Sequence, residues 1–163
     1  MELATEKRVG ARESDMLRVK GNIASTYQSL GRLEEALSLE REIYARHVAL
    51  EGMDSDITMI AVICLANTLS KLRRYGEVIS FTQDKITLCQ RVLGAEHEHT
   101  FFLRELYALA LFNIGSHDDR EQAEAILADV VQKMRRVLGA HHPRTRIAED
   151  HLRKVRQRLE RIS

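Results

Sequence analysis

Apolar residues recur along this chain at spacings of three and four positions, which places them on one face of an α-helix. Three such stripes each follow a short turn segment. Their members are Ala36, Leu39, Ile43, Tyr44 and Leu50, then Val78, Phe81, Ile86 and Val92, then Ala123, Ile126, Val130, Val131 and Val137. A helix with such a stripe buries it against a neighbour, and the single proline, Pro143, leaves helices unbroken. The pattern therefore predicts an all-α fold.

The stripes belong to a repeat of 42 residues. Gly10, Gly52 and Gly94 lie 42 residues apart, and Gly139 follows after 45. The segments RVLGAEHEHT and RVLGAHHPRT are near copies of each other. In the same frame a small residue recurs among large apolar ones, at Ala24, Ala66 and Ala108. A small side chain at a fixed position lets two helices approach closely, so the units are expected to stack.

Each unit is predicted to hold two helices joined by a short turn. The expected single domain divides into residues 1–14 as the remnant of a preceding repeat, 15–57, 58–99 and 100–144 as three repeats, and 145–163 as a capping helix. Gly31 and Gly115 suit the left-handed conformation that often ends a helix, whereas Arg73 occupies that position in the second unit. The insertion SHDDR is predicted to lie in the third turn, where extra residues cost least.

The two ends of the array differ from its middle. The stretch ELATEKRV resembles the tail of a second helix whose first helix is missing, so an apolar edge near Leu3 and Leu17 could be covered by another copy of the chain. The last helix carries an apolar stripe with basic residues on its other face, and no partner helix follows it. The stripe consists of Ala148, Leu152, Val155, Leu159 and Ile162. These features predict a cap on the repeat stack.

Charge and composition exclude several functions. The 163 residues include 25 Lys and Arg against 24 Asp and Glu, so the net charge of +1 gives no overall attraction for nucleic acid or an anionic membrane. The chain begins with charged residues where a signal peptide needs an apolar run, and it has no run of 18 apolar residues. A cytoplasmic protein is therefore expected.

Residues that could carry chemistry do not form a recognisable motif. Cys64 and Cys89 lack CxxC spacing and are interpreted as reduced structural thiols. His97 and His142 coincide in the repeat frame just before a first helix, where they are expected to bond to free backbone groups. Neither a phosphate-binding glycine loop nor a serine nucleophile motif occurs. We therefore expect no catalytic residue, no bound metal, no cofactor and no enzyme activity.

The segment NIASTYQSLGRLEEAL resembles a tetratricopeptide repeat, and the long unit containing RVLGAHHPRT is similar to the repeats of kinesin light chains. This resemblance covers nearly the whole chain, although Val78, Glu98 and Arg120 depart from the usual pattern. It implies a right-handed α-α superhelix, a tetratricopeptide solenoid, whose first helices line a concave groove for a peptide or helix of another protein. With three full units, the chain is expected to be a relative of those proteins or a fragment of a longer array.

The frame assigns polar and aromatic residues to the groove. The predicted lining residues are Arg18, Asn22, Ser25, Ser29, Asn67, Lys71, Phe102, Leu109, Phe112 and Asn113, with Gln28, Ile60, Cys64 and Glu105 beside them. Asn amides can fix an extended backbone, Arg18 and Lys71 can meet a carboxylate, and an aromatic ring can seat an apolar side chain. A peptide with an apolar anchor and an acidic flank would suit this lining. Alternatively, Phe102 and Phe112 pack against the next helix.

A rival function rests on the basic last helix, RTRIAEDHLRKVRQRLERIS. A basic amphipathic helix can contact nucleic acid phosphates or an anionic membrane. However, its apolar stripe is needed to cover the stack, and its charged face is what a solvated cap requires. The sequence thus favours a protein-binding adaptor or scaffold over this alternative.

Overall fold

The computed structural model describes the backbone of residues 2–161 and the side chains of residues 12–161. Within this part of the chain there are seven α-helices and no strand. In chain order they are α1 (Glu2–Ser29), α2 (Leu33–Glu51), α3 (Asp56–Lys71), α4 (Tyr75–Val92), α5 (Glu98–Ile114), α6 (His117–Val137) and α7 (Pro143–Glu160). Each helix packs against the next one in the chain, and α3 also packs against α5. The all-α prediction is confirmed, and the paired helices form a solenoid.

The buried interior consists of two main clusters that meet at α5. One face of α5 places Leu103, Leu106 and Ala110 among residues of α2, α3 and α4. Another face places Phe101 and Ala108 among residues of α6 and α7. The recurring alanines are buried, as expected for positions of close helix approach: Ala24 is 2% exposed, and Ala66 and Ala108 are fully buried. Helix α5 therefore joins the two halves of the stack.

The first helix differs from the sequence prediction. Residues Glu2–Ser29 form one continuous helix that passes through Gly10. The chain therefore has no helix break between residues 1–14, predicted as the remnant of a preceding repeat, and the first unit. A glycine inside a helix keeps its backbone hydrogen bonds and costs only about 1 kcal/mol relative to alanine. The frame position of Gly10 therefore did not require a turn.

Helix α7 covers the C-terminal end of the stack. Ala148, Leu152 and Val155 are buried against α6 and α5, and Leu159 is partly buried. The predicted stripe also included Ile162, which lies outside the described residues. Basic side chains, among them Arg153, Lys154 and Arg156, occupy the exposed face of α7.

The N-terminal edge of the stack is apolar, but not at the predicted residues. Leu17 is only 5% exposed because it packs with Ile43 and Ala61, and the side chain of Leu3 lies outside the described ones. The exposed edge is formed instead by Val19 and Ile23, which are 50% and 40% exposed. The sequence analysis therefore assigned the exposed face of α1 with an error of a fraction of a helical turn.

The turns between paired helices reach their geometry in two ways. Gly31 and Arg73 occupy equivalent positions, and both are left-handed, with φ of 74° and 58°. Gly115 has φ of −76°, so the left-handed conformation predicted for it is wrong. The inserted residues explain this difference, because Ser116 caps α6 by accepting a hydrogen bond from the Asp119 amide while Asp119 bonds back to Ser116.

The left-handed arginine gives a stability prediction. Replacing Arg73 with glycine should increase the free energy of unfolding by about 1 kcal/mol, since the strain of a side chain in this conformation is removed at only a modest entropic cost. Urea unfolding followed by circular dichroism measures the change. The control is Gly31→Ala in the equivalent turn, which should destabilise the protein by about the same amount. A loss of stability in Arg73→Gly would contradict the argument.

Candidate functional site

The first helices α1, α3, α5 and α7 follow one another along one side of the stack, and the second helices lie behind them. Between α1 and α3 this surface opens into a pocket of about 450 Å³ whose floor is α2. Its lining residues are Ser14, Leu17, Arg18, Gly21, Ala24, Ser25 and Gln28 from α1, Glu40, Ile43 and His47 from α2, and Ile57, Ile60, Ala61, Cys64 and Asn67 from α3. The pocket is apolar on its walls and polar on its floor and rim, as ligand sites commonly are.

A buried carboxyl group lies on the floor of this pocket. Glu40 is 4% exposed, and its Oε1 accepts a hydrogen bond of 2.6 Å from Nε2 of Gln28. Gln28 also donates to Thr68 at 2.8 Å and accepts from Nζ of Lys71 at 2.6 Å. No described residue bonds to the second carboxyl oxygen, Oε2. Burial raises the pKa of Glu40, against the opposing effect of Thr68, Gln28 and Lys71.

A buried histidine lies two turns further along α2. His47 is 7% exposed, and among the described residues its Nδ1 has no hydrogen-bond partner. Burial lowers the pKa of His47, although the nearby charge of Glu51 opposes this. The ring is therefore favoured in its neutral form, which carries one nitrogen that can accept a hydrogen bond. The pocket floor thus presents two polar groups with unused bonding capacity.

Six of the residues that the repeat frame assigned to the groove or beside it line this pocket, namely Arg18, Ser25, Gln28, Ile60, Cys64 and Asn67. Arg18, Ser25 and Asn67 lie on its rim, with Arg18 paired to Asp15 at 3.3 Å. Asn22, Ser29 and Lys71 are exposed but do not line it. Lys71 reaches the site through its bond to Gln28. Part of the N-terminal half of the predicted lining therefore surrounds one opening, while Asn22 and Ser29 lie outside it.

The C-terminal half of the predicted groove is filled by the protein itself. Glu105 is 1% exposed, with Nδ1 of His151 at 2.6 Å from Oε1 and Arg144 at 3.3 Å from Oε2. The guanidinium carbon of Arg144 also lies 4.0 Å from the ring centroid of Phe102. Phe102 therefore packs against a residue of the next helix, which was the alternative role considered for it. These contacts close the space between α5 and α7.

The remaining predicted lining residues are not brought together. Phe112 is 7% exposed and belongs to the core beside α6 and α7, so its assignment to an open groove is wrong. Leu109 is partly buried against the same core cluster. Asn113 is exposed, but its amide donates to the carbonyl oxygen of Leu109 one turn earlier. Neighbouring positions on α5 differ in whether they face the core or the surface, and the repeat frame did not distinguish the two faces.

Sequence reasoning missed Glu40 and His47 because it assigned the groove to first helices alone. A signal was present in the repeat frame. Glu40 is equivalent to Thr82 and Leu127, and His47 is equivalent to Cys89 and Met134, all of which are fully buried. An ionisable residue at a position filled elsewhere by core side chains is unusual and could have identified the pocket floor.

Thiol and imidazole groups elsewhere have structural roles. His97 and His142 cap α5 and α7, with Nδ1 accepting from the amides of His99 and Arg144, which confirms their expected role. Burial raises the pKa of Cys89, which disfavours the reactive thiolate. Cys64 is exposed and belongs to the lining of the pocket. The described residues contain no cluster of three or more His, Cys, Asp or Glu arranged to hold a metal ion.

The basic charges of α7 are largely matched by acidic groups. Arg156 pairs with Glu124 of α6 at 2.6 Å, and Arg153 and Lys154 both pair with Asp150. Arg135 of α6 is joined to α7 in the same way, through Glu149 at 2.5 Å. None of the helices in the described region is both long and apolar enough to cross a bilayer.

Comparisons with known proteins agree with this architecture. The tetratricopeptide repeat family model matches residues 17–56 and 115–144. A crystal structure of nearly identical TPR-like repeats of a "putative kinesin light chain" from Podosopora anserina aligns at 19% identity, with a TM-score of 0.75 over 87% of this chain and 66% of that one. A point variant of that protein aligns at 18% identity, with a TM-score of 0.74 over 86% of this chain and 65% of that one. The structure of BtubC (BKLC) from P. vanneervenii aligns at 15% identity, with a TM-score of 0.58 over 88% of this chain and 64% of that one.

No curated protein sequence matches the chain. The chain spans just under two thirds of each of the three solved structures. Together the helix pairs and the structural matches define an α-solenoid built from helical repeats. Residues 17–56 and 115–144 match the tetratricopeptide repeat model, and the chain has the fold of the TPR-like repeats in the kinesin light chain structures.

Proposed function

We propose that this protein is an adaptor module whose groove binds a peptide or helix of a partner protein between α1 and α3. Tetratricopeptide repeats of this kind support a role in protein–protein interaction. The observation that carries the finer proposal is the open pocket of about 450 Å³ between these helices. At the other end of the stack, the corresponding space holds Arg144, His151 and Glu105.

Exposed apolar residues beside the pocket add to this proposal. Ile57 and Ile60 of α3 are 42% and 44% exposed, and both line the opening. Asn67 lies on the same face and makes no hydrogen bond to another described side chain. Apolar walls with a free amide at the rim suit an extended peptide, whose side chains fill the pocket while its backbone bonds to the amide.

A matched set of variants tests the site. Random peptides displayed on phage are selected on the intact protein, and the dissociation constants of the winning peptides are measured by fluorescence anisotropy. Ile60→Asp should weaken binding at least about tenfold, or about 1.4 kcal/mol, because it places a charge on the apolar wall. Asn67→Ala should weaken it by a smaller factor. Circular dichroism checks that each variant remains helical.

The controls repeat these changes outside the pocket. Ile147 is 45% exposed and lies on α7, so Ile147→Asp matches Ile60→Asp in chemistry and exposure. Asn113→Ala in the same way matches Asn67→Ala. Peptides that bind all four variants as tightly as the wild type, or that lose affinity only for the control variants, would contradict the proposed site.

The alternatives have less support. Nucleic acid or membrane contact through α7 would use Arg153, Lys154 and Arg156, and these three cations pair with two acids, Asp150 and Glu124. Self-association would use the exposed edge at Val19 and Ile23. We propose a cytoplasmic location for this protein, because Cys64 and Cys89 are free thiols. The same location is proposed if the module is part of a longer array.

A further inference from the structure

The pocket between α1 and α3 has a polar floor that its own surroundings leave incompletely bonded. Oε2 of Glu40 and Nδ1 of His47 have no hydrogen-bond partner among the described residues, although the two side chains are more than nine-tenths buried. They stand seven residues apart on α2, about 10 Å along the helix axis, with Ile43 between them on the same face. A buried polar atom without a partner is unfavourable, so such atoms call for a bonding group from outside.

The part of the pocket formed by α1 includes a glycine. Gly21 is equivalent in the repeat frame to Ile63 and Glu105, whose side chains are buried. A Cβ atom built on Gly21 would meet nothing within 4 Å, so open space lies over this residue. In the next unit the equivalent position carries the buried side chain of Ile63. The first unit is therefore distinguished from its neighbours by an opening above two ionisable residues.

We propose that this pocket binds a lysine or arginine side chain of the partner, with its aliphatic stem between the apolar walls and its cationic head at Glu40. The proposal rests on the proposed groove function and specifies what the groove recognises. Leu17, Ile43 and Ile60 supply the walls for the methylene groups, as expected for side chains that bury their stems and hydrate or pair their heads. Oε2 of Glu40 accepts from the cationic N–H group.

Charges around the pocket are compatible with a cation. Arg18 at the rim is paired with Asp15 at 3.3 Å, and Lys71 is held at 2.6 Å from the amide oxygen of Gln28. Neither cation bonds to the free oxygen of Glu40. Burial raises the pKa of Glu40, so its carboxylate is undercompensated in the free protein, and a cation at Oε2 would favour the charged form. His47, whose pKa is lowered by burial, adds no fixed positive charge to the floor.

Two small probes separate charge from shape. Butylguanidinium carries the head and stem of arginine, and butylurea has nearly the same shape without the charge. In amide proton–nitrogen NMR spectra of the intact protein, butylguanidinium should shift the signals of Gly21, Ile43 and Cys64 in a saturable way. Its affinity should exceed that of butylurea at least about tenfold. Equal affinities, no shifts, or shifts only outside the pocket would overturn the proposal.

Two variants test the assigned groups. Glu40→Gln keeps the shape of the side chain and removes a buried charge, so it should fold normally and bind both probes equally weakly. Gly21→Leu fills the space without meeting a neighbouring atom at its Cβ and should abolish the shifts in the pocket. The control Glu34→Gln removes an exposed acid of α2 and should leave butylguanidinium binding unchanged. If Glu40→Gln retains the full preference for the cation, the proposal is wrong.

The phage-selected peptides distinguish this proposal from the function on which it rests. We expect those that lose affinity for Ile60→Asp to contain a Lys or Arg whose replacement by norleucine weakens binding at least about tenfold. Peptides that depend on Ile60 but not on any basic residue would overturn the cation pocket and leave the groove function standing. Peptides that ignore Ile60 would overturn the groove function, whatever the small probes do.

Discussion

Replacing both Arg144 and His151 with alanine is expected to destabilise the protein by about 3–5 kcal/mol, because a buried carboxylate loses both of its basic partners. Glu105 is 1% exposed, and its two oxygens are bonded to these two residues. Either single replacement leaves one partner in place and should have a smaller effect. Urea unfolding at neutral pH, followed by circular dichroism, measures the loss.

The repeat frame supplies a rescue for this variant. Glu105 is equivalent to Ile63, an apolar residue that is 6% exposed in the preceding unit. Adding Glu105→Ile to the double variant should restore most of the lost stability, since an apolar side chain at this position needs no charged partner. If the triple variant is as unstable as the double variant, the loss comes from packing by Arg144 and His151 rather than from the buried charge.

The closing of the groove by this ion network could not be predicted from sequence. Arg144 and His151 lie 39 and 46 residues after Glu105, on a different helix. The sequence prediction made their helix a cap and interpreted its basic side chains only as a solvated face. Which of its basic residues turn toward α5 depends on the rotation of α7 about its axis. A stripe of apolar residues fixes that rotation only to within a fraction of a turn.

The repeat itself was predictable because its evidence is spacing along one chain. The glycines and alanines at fixed intervals, together with the apolar stripes, suffice to place paired helices and their order. The exceptions have local causes. Residues 1–14 were predicted to be the remnant of a separate, preceding repeat, yet α1 continues without a break from Glu2 to Ser29. At Gly115, an inserted capping serine made the left-handed conformation unnecessary.

The candidate pocket was predicted only in part, for a different reason. Arg18, Ser25 and Asn67 were assigned to the lining from their place on first helices. Gly21 was overlooked because its role is to lack a side chain, and a search for functional groups gives no weight to an empty position. Glu40 was overlooked because it lies on a second helix. Comparing the size and polarity of side chains at equivalent positions of the repeat would have identified both Gly21 and Glu40.

Phe101→Ala is expected to destabilise the protein by about 3–5 kcal/mol, the range typical for removing a fully buried aromatic ring. Phe101 is fully buried where α5 meets α6 and α7, so its loss leaves a cavity within the second core cluster. For a chain of this length the melting temperature should fall by about 10 °C. Thermal unfolding followed by circular dichroism gives both values.

The neighbouring ring provides a matched control. Phe102 is only partly buried, and its main neighbour across the groove is the guanidinium group of Arg144 at 4.0 Å. Phe102→Ala should therefore cost about 1 kcal/mol, from the lost contact and a smaller buried area. If the two variants were equally unstable, Phe102 would be a core residue and the groove would be closed by packing at this point. If Phe102→Ala were the more damaging, the rotation of α5 described here would be wrong, and the assignment of Leu103 and Leu106 to the first cluster would fail with it.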